Sequence, residues 1–439
     1  MTTLTPTVVL AHGVGTRTDL PIPTWLALYG AGSVVLVSFL ALVLLWRTAR
    51  LADPDRGRAV PRVVQAVVAS PVMQNAVQAV TLLLGVLVLA VALAGPSDDA
   101  NNLGPWVLYV TFWVGLIPAS LLLGPVWRYA NPLRLVHRLL APLAGSAPAA
   151  ARVERLGLYP AAGFLSVFVW LELVFPHRSL PGTVAVFIVV YAVVQLVSAL
   201  WFGEGWFERG DGFEVYSTLL ATLSVWGVRP DGRWVLRNPL RNVATRPVQR
   251  GLTAVVVVLL GSTAFDGLSR TQFWMGGPGS ANDTTSGTIG LLVMIAIVGT
   301  LYVGATVASG RLGGDANAPS AYAHSVIPIA VGYAIAHYFS LLLLDGQTTW
   351  ILASNPFGQD GVNLFGTYDH AVNFLLLGTT LISLVQVGAI VIGHVLGVFL
   401  AHDRSLRGVR PDRATYAQLP LIGVMVAFTV GGLGLLFGA

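Results

Sequence analysis

The chain has 439 residues, 55% of them hydrophobic and only 10% charged, with a formal net charge of +5. A soluble chain carries roughly 25% charged residues, so this one cannot cover itself with water-facing surface. It contains no cysteine and no lysine, which excludes disulfides, thiolate metal ligands, cysteine nucleophiles and the lysine chemistry of Schiff bases and phosphate loops.

The chain opens on "MTTLTPTVVLA", which has no basic n-region and too short an apolar run for a signal peptide. An uncleaved external lead-in over residues 1–23 is expected. The "VLA" before His12 resembles a cleavage site, and its use would leave an N-terminal histidine able to chelate copper. The lead-in places His12, Arg17 and Asp19 just before the first long apolar run.

A hydrocarbon core of about 30 Å takes about 20 apolar residues per helix. Ten such runs follow, near 24–46, 77–95, 105–127, 157–175, 182–202, 251–272, 287–309, 321–344, 374–400 and 417–438. Irregular backbone cannot face lipid. The expected fold is therefore an all-α polytopic membrane bundle forming a single domain. All 25 basic residues are arginines: 22 fall on one side of this ten-span arrangement, and only Arg17, Arg178 and Arg270 on the other. The positive-inside rule then puts both termini outside the cell and the arginine-rich side in the cytoplasm, against anionic lipid headgroups. The same distribution accounts for the basic pI without invoking nucleic acid.

Three segments on the arginine-rich side read as interfacial helices. In "NPLRLVHRLLAPL" the residues Leu133, Val136, Leu139 and Leu140 share a face opposite Arg134 and Arg138. In the 203–250 segment, "FEVYSTLLATLSVWGV" spaces Tyr216, Leu219, Leu220, Leu223 and Trp226 similarly; "VVQAVVASPVMQNAV" is a weaker case. Residues 127–136 and 234–243 also share W-x-x-x-N-P-L-R-x-V. Asn131 and Asn238 then read as N-caps followed by proline at the first helical position, or as relics of a parallel duplication.

Ionisable groups inside spans are costly and mark functional sites by default. Glu172 and Asp266 lie towards the outer ends of the fourth and sixth spans. His337 lies roughly 6 Å outward of the middle of the eighth, by the helical rise, on one face with Tyr333 and Ser340. His177 follows the fourth span, and a long external loop carries Asp360, Asp369 and His370. Imidazole with carboxylate suits zinc or another first-row divalent ion, with His337, His12, His177 and His370 as candidate ligands. Asp266 and Glu172 would then serve as a further ligand and a general base. An inner set, His324, Gln386 and His394, reads as interhelical glue or as part of an ion path. No H-E-x-x-H, phosphate-loop or G-x-S-x-G motif occurs.

The lead-in pattern A-H-G-x-G-x-R-x-D-L-P-x-P, with "GSTAFDG" in the sixth span and "AHYFSLL" in the eighth, resembles a family of bacterial, mostly actinobacterial, multi-span proteins commonly labelled fenitrothion hydrolase. The resemblance covers most of the chain. It implies a plasma-membrane protein and hydrolysis of a phosphorothioate triester, and it assigns no catalytic residues. Two readings follow: a membrane-embedded, metal-dependent hydrolase, and a transporter or channel for a small solute or ion. An assembly role is the third.

Overall fold

The computed structural model describes residues 22–145, 147–281, 283–409 and 413–438. His12, Arg17 and Asp19 lie outside the described residues. The chain is a polytopic helical membrane bundle, and the ten expected runs all form helices. Among the described residues, nine helices are long and apolar enough to cross a membrane: α1 (Thr24–Leu45), α3 (Pro71–Ala94), α4 (Leu103–Leu123), α7 (Pro181–Phe202), α9 (Leu252–Ser269), α10 (Thr284–Gly313), α11 (Ala318–Ala353), α12 (Thr379–Gly408) and α13 (Ala414–Phe437). The tenth run becomes α6, Tyr159–Leu173, which meets the short helix Ala150–Leu156 at a 67° bend. Gly157 makes that bend at φ +57°, where a Cβ would meet the carbonyl oxygen of Arg250 at 2.4 Å. No L side chain fits such a turn.

Several outer helices are apolar on all sides, as helices between lipid and core must be. Val37, Leu40 and Leu44 of α1 and Leu83, Leu84 and Val86 of α3 stay exposed. α9 and α11 are the most enclosed spans, and buried polar side chains lie on them and on α12. Small residues let the spans close around them. A Cβ on Gly332 would meet the Ala389 carbonyl at 2.3 Å, and one on Gly393 the Pro328 carbonyl at 2.6 Å. The α11–α12 crossing thus depends on backbone-to-backbone approach.

The arginine-rich segments meet at one end. Arg229 donates to the Gly57 carbonyl (2.5 Å), Arg237 to that of Pro54 (2.8 Å) and Arg407 to that of Ala244 (3.4 Å). Asp403 accepts the backbone N–H groups of Arg50 (2.6 Å) and Leu51 (3.2 Å), which ties the chain after α1 to α12. A small antiparallel sheet of order β1-β3-β2 sits here, made of β1 (Arg58–Ala59), β2 (Trp226–Val228) and β3 (Trp234–Leu236). Arg58 and Trp226 both pair with Leu236.

Asn131 and Asn238 cap helices as expected, accepting from the N–H groups of Leu133 (3.1 Å) and Leu240 (2.9 Å). The helices they start differ: α5 (Pro132–Ala144) has 13 residues and Pro239–Ala244 has 6.

Two of the three expected interfacial helices are corrected. In α5 the amphipathic pattern is real, but its polar face points inward. Arg134 and His137 are buried while Leu139 and Leu143 are exposed. The reason is a set of carboxylates inside: Arg134 makes a bidentate bond to Glu214 (2.9 and 2.5 Å) and reaches Glu204 (3.0 Å). The helix α8, Gly212–Ala221, is buried on nearly every side, only Thr218 among its ten residues being less than fully enclosed. It carries no basic residue, and an interfacial helix needs a charged face for the headgroups. The third segment divides at Ser70 into α2 (Arg62–Ala69) and the start of α3. The valines of α2, Val63, Val64 and Val67, are exposed.

Candidate functional site

At the end of the bundle away from most arginines, α6, α9 and α11 bring Glu172, Asp266 and His337 together. Their residues are 2%, 2% and 0% exposed. His337 sits where α11 faces α9, and its Nε2 hydrogen-bonds Asp266 Oδ2. The other Asp266 oxygen accepts from Arg270 Nε (3.3 Å) and Nη2 (3.2 Å), one helical turn along α9. Asp266 is thereby bracketed by a cation and an imidazole. Gly267 and Gly432 let α9 and α13 close over the adjacent Tyr333, whose ring would lie 2.8 Å from a Cβ on Gly432. Tyr333 in turn stacks beside the His337 ring, 6.3 Å between centroids.

Glu172 faces the same interior. The Tyr338 hydroxyl reaches Glu172 Oε1 at 3.5 Å, and the Tyr338 ring stands edge-on to His337 at 4.9 Å. One tyrosine therefore touches both the carboxylate on α6 and the imidazole on α11. Arg178, just after α6, adds a second positive charge. Burial pushes its guanidinium below the ordinary value, while Tyr109, Glu172 and Asp266 act in the opposite direction. Its backbone carbonyl accepts from the Tyr109 hydroxyl at 3.0 Å.

Tyr109 and Trp113 come from an unusual stretch of α4. Over Trp106–Val114 the helix widens, and the Gly115 N–H donates to Val110 O, five residues back. Such wide turns are rare and often sit at functional sites. This one aims Trp113 at α8, where it stacks on Tyr216 at 4.5 Å. Trp113, Glu172, Tyr216, Ser262 and Tyr338 line a cavity of about 40 Å³. That is room for roughly three waters, beside a carboxylate.

Two acceptor atoms in this centre stay open. Glu172 Oε2 and His337 Nδ1 are buried with no hydrogen-bond partner among the described residues. A buried polar group left so costs about 1–3 kcal/mol. An imidazole held by a carboxylate on one nitrogen presents the other as a proton acceptor.

Glu172, Asp266 and His337 thus converge. His177 and His370 are exposed on the surface and do not join them; His12 lies outside the described residues. Among the described residues, no three histidine, aspartate or glutamate side chains approach closely enough to hold a metal ion. The inner set is buried but not joined by hydrogen bonds among the described residues. His394 turns its Nδ1 back to the Ile390 carbonyl (2.9 Å), whereas His324 lies near Arg404, Arg407 and Asp403 at the arginine-rich end.

Sequence reasoning missed Tyr338, Tyr109, Trp113 and Tyr216. "AHYF" places Tyr338 next to His337, so its nearness was legible, but its reach to another helix was not. For Tyr216 the signal was the missing basic face of α8. No family model, curated protein or solved structure matches this chain.

Proposed function

We propose that this protein is a membrane transporter that passes protons, alone or with a small solute, through a centre built on Glu172, Asp266 and His337. The observation that carries the reading is the convergence of these three groups, from three spans, with Glu172 in the wall of a water-sized cavity. In the proposed step a proton moves between Glu172 and the cavity waters, with His337 Nδ1 as the second station. Asp266 holds the imidazole in orientation and balances its charge when protonated. Arg270 keeps Asp266 from carrying an uncompensated charge, which buried in apolar surroundings would cost several kcal/mol. The arginine-rich end faces the cytoplasm of a bacterial plasma membrane, with both chain ends outside and anionic headgroups against the arginines.

The test is reconstitution in liposomes loaded with a pH-sensitive dye, with the potential clamped by potassium and valinomycin. Wild-type protein should carry protons, and Glu172→Gln and His337→Ala should each cut the flux at least about tenfold, as loss of a proton-transfer group does. Wild-type vesicles that hold the gradient as well as protein-free vesicles end the reading. Orientation is checked separately. Since the chain has no cysteine, single cysteines at Arg233 and Asn363 report sidedness against an impermeant maleimide without background.

A second reading is hydrolysis of a phosphorothioate triester, as the resemblance implies. One feature favours it: the Asp266-held imidazole with an open Nδ1 is the arrangement of a general base. The size of the cavity places it second. Release of nitrophenolate from a nitrophenyl phosphorothioate triester by wild-type protein, absent in His337→Ala, would put it first.

A further inference from the structure

At the arginine-rich end, two cavities lie side by side and share three aromatic walls, Tyr129, Trp226 and Trp234. The first, about 290 Å³, is lined almost entirely by apolar side chains, among them Val64 and Val67 of α2 and Met73 of α3. The second, about 680 Å³, is lined by Arg128, Arg229, Arg237 and Arg246, with no aspartate or glutamate among the described residues of its wall. Arg128 is neutralised by Glu208 at 2.6 Å. Among the described residues the other three bond to neutral groups: Arg229 to the Gly57 carbonyl, Arg237 to Asn242 and the Pro54 carbonyl, Arg246 to Gln249. The Nε atoms of Arg229 and Arg246 are buried with no hydrogen-bond partner among the described residues.

These are the two halves of an amphiphile's binding site. Arginine matches phosphate with paired, charge-assisted donors, and the valine groove offers an apolar bed. Tryptophan and tyrosine at the seam suit a position where apolar and polar phases meet. The like charges also strain one another. Burial, then the charges of Arg241 and Arg229, push the Arg237 guanidinium below its ordinary value; for Arg246, brought to about 10, the cause is burial and not repulsion. A bound phosphate monoanion relieves that repulsion.

We propose that this paired cavity binds one anionic phospholipid, its phosphate among Arg229, Arg237 and Arg246 and one acyl chain along the α2 groove. The proposal rests on the arginine-rich end lying at the headgroup level, and it turns general attraction to anionic lipid into a defined site. The experiment is native mass spectrometry of the full chain in detergent, titrated with phosphatidylglycerol or with phosphatidylcholine of the same chains. The expected result is one phosphatidylglycerol per chain, bound at least about tenfold more tightly than phosphatidylcholine. Arg229→Gln with Arg246→Gln should erase that preference, and Met73→Trp, which fills the groove, should weaken both lipids alike. Inorganic phosphate at millimolar concentration should not displace the bound lipid; if it does so fully, the site is one for free phosphate and the proposal fails. Equal binding of the two lipids by wild type also overturns it, as does unchanged preference in an arginine double variant with wild-type helicity. If that double variant does not fold, Met73→Trp decides: unchanged lipid binding there overturns the proposal. Binding in detergent does not depend on sidedness, so a failure here is distinct from a failure of the orientation reading.

Discussion

Two of the buried clusters of charge, one near each end of the bundle, are built differently. At the arginine-rich end Asp211, Glu214, Arg134, Asn131 and Tyr191 form a closed set. Asp211 caps α8 through the N–H groups of Phe213 (3.0 Å) and Glu214 (3.3 Å), and also accepts from Asn131 (2.8 Å) and Tyr191 (2.8 Å). Glu214 is occupied on both oxygens by Arg134. At the other end, Glu172 and His337 each keep a buried acceptor open. A cluster whose valences are all filled holds helices together. On the proposed function, the open acceptors of the other are where a proton is exchanged. Both clusters are buried and charged, and completeness of hydrogen bonding is what distinguishes them.

The comparison can be broken most sharply at Arg134. Arg134→Ala leaves Glu214 buried and unpaired, and should cost about 3–5 kcal/mol, read as a large drop in the denaturant or heat needed to lose helicity in detergent. Little folded protein is expected from this variant.

The closed cluster should also respond to pH. Burial first, then neighbouring Glu214, push the Asp211 carboxyl up to about 7. A raised carboxyl means that the folded state holds the proton more tightly than the unfolded chain. Its stabilising effect is therefore full below about pH 4 and lost as pH rises to about 7, a change of about 2–4 kcal/mol. Melting curves across that window should show wild type weakening with rising pH and Asp211→Asn much flatter. A wild type that strengthens over the same window would contradict this.

In the open cluster the ranking of effects reverses. His337→Ala should change stability by only about 1–2 kcal/mol, because Arg270 still pairs with Asp266, yet it should abolish proton flux. Metal analysis of the purified protein sharpens the same point. An ion bound one per chain and lost in His337→Ala would return the centre to the metal-dependent hydrolase reading. Smallest of all is Ser217→Ala, which removes the contact between Ser120 and Ser217 (2.8 Å) and the bond from Trp127 N–H (3.2 Å). About 0.6 kcal/mol is typical of such interhelical bonds, and flux should be untouched.

Much of this was readable along the chain. Hydropathy alone located the spans, because lipid demands about 20 apolar residues and satisfied backbone wherever a helix crosses. Three of the arginines assigned to one side, Arg229, Arg237 and Arg407, bond across to other segments of that side in the folded chain. The rarity of charge within spans singled out Glu172, Asp266 and His337, since such groups are costly in an apolar helix. The caps at Asn131 and Asn238 followed from local chemistry.

What only the tertiary structure decided is partnership. Depth along a helix is a property of sequence position, but which face meets which neighbour depends on how ten helices pack. Spacing gave His337 no partner; the folding of α9 against α11 gave it Asp266. The pattern of α5 was correctly amphipathic, yet its arginines turned inward because Glu204 and Glu214, some 70 to 80 residues on, fold beneath it. A span apolar on every side carries no periodic signal of its inner face. For that physical reason, composition and spacing determined the membrane fold and its polar candidates, and packing alone chose which of them meet.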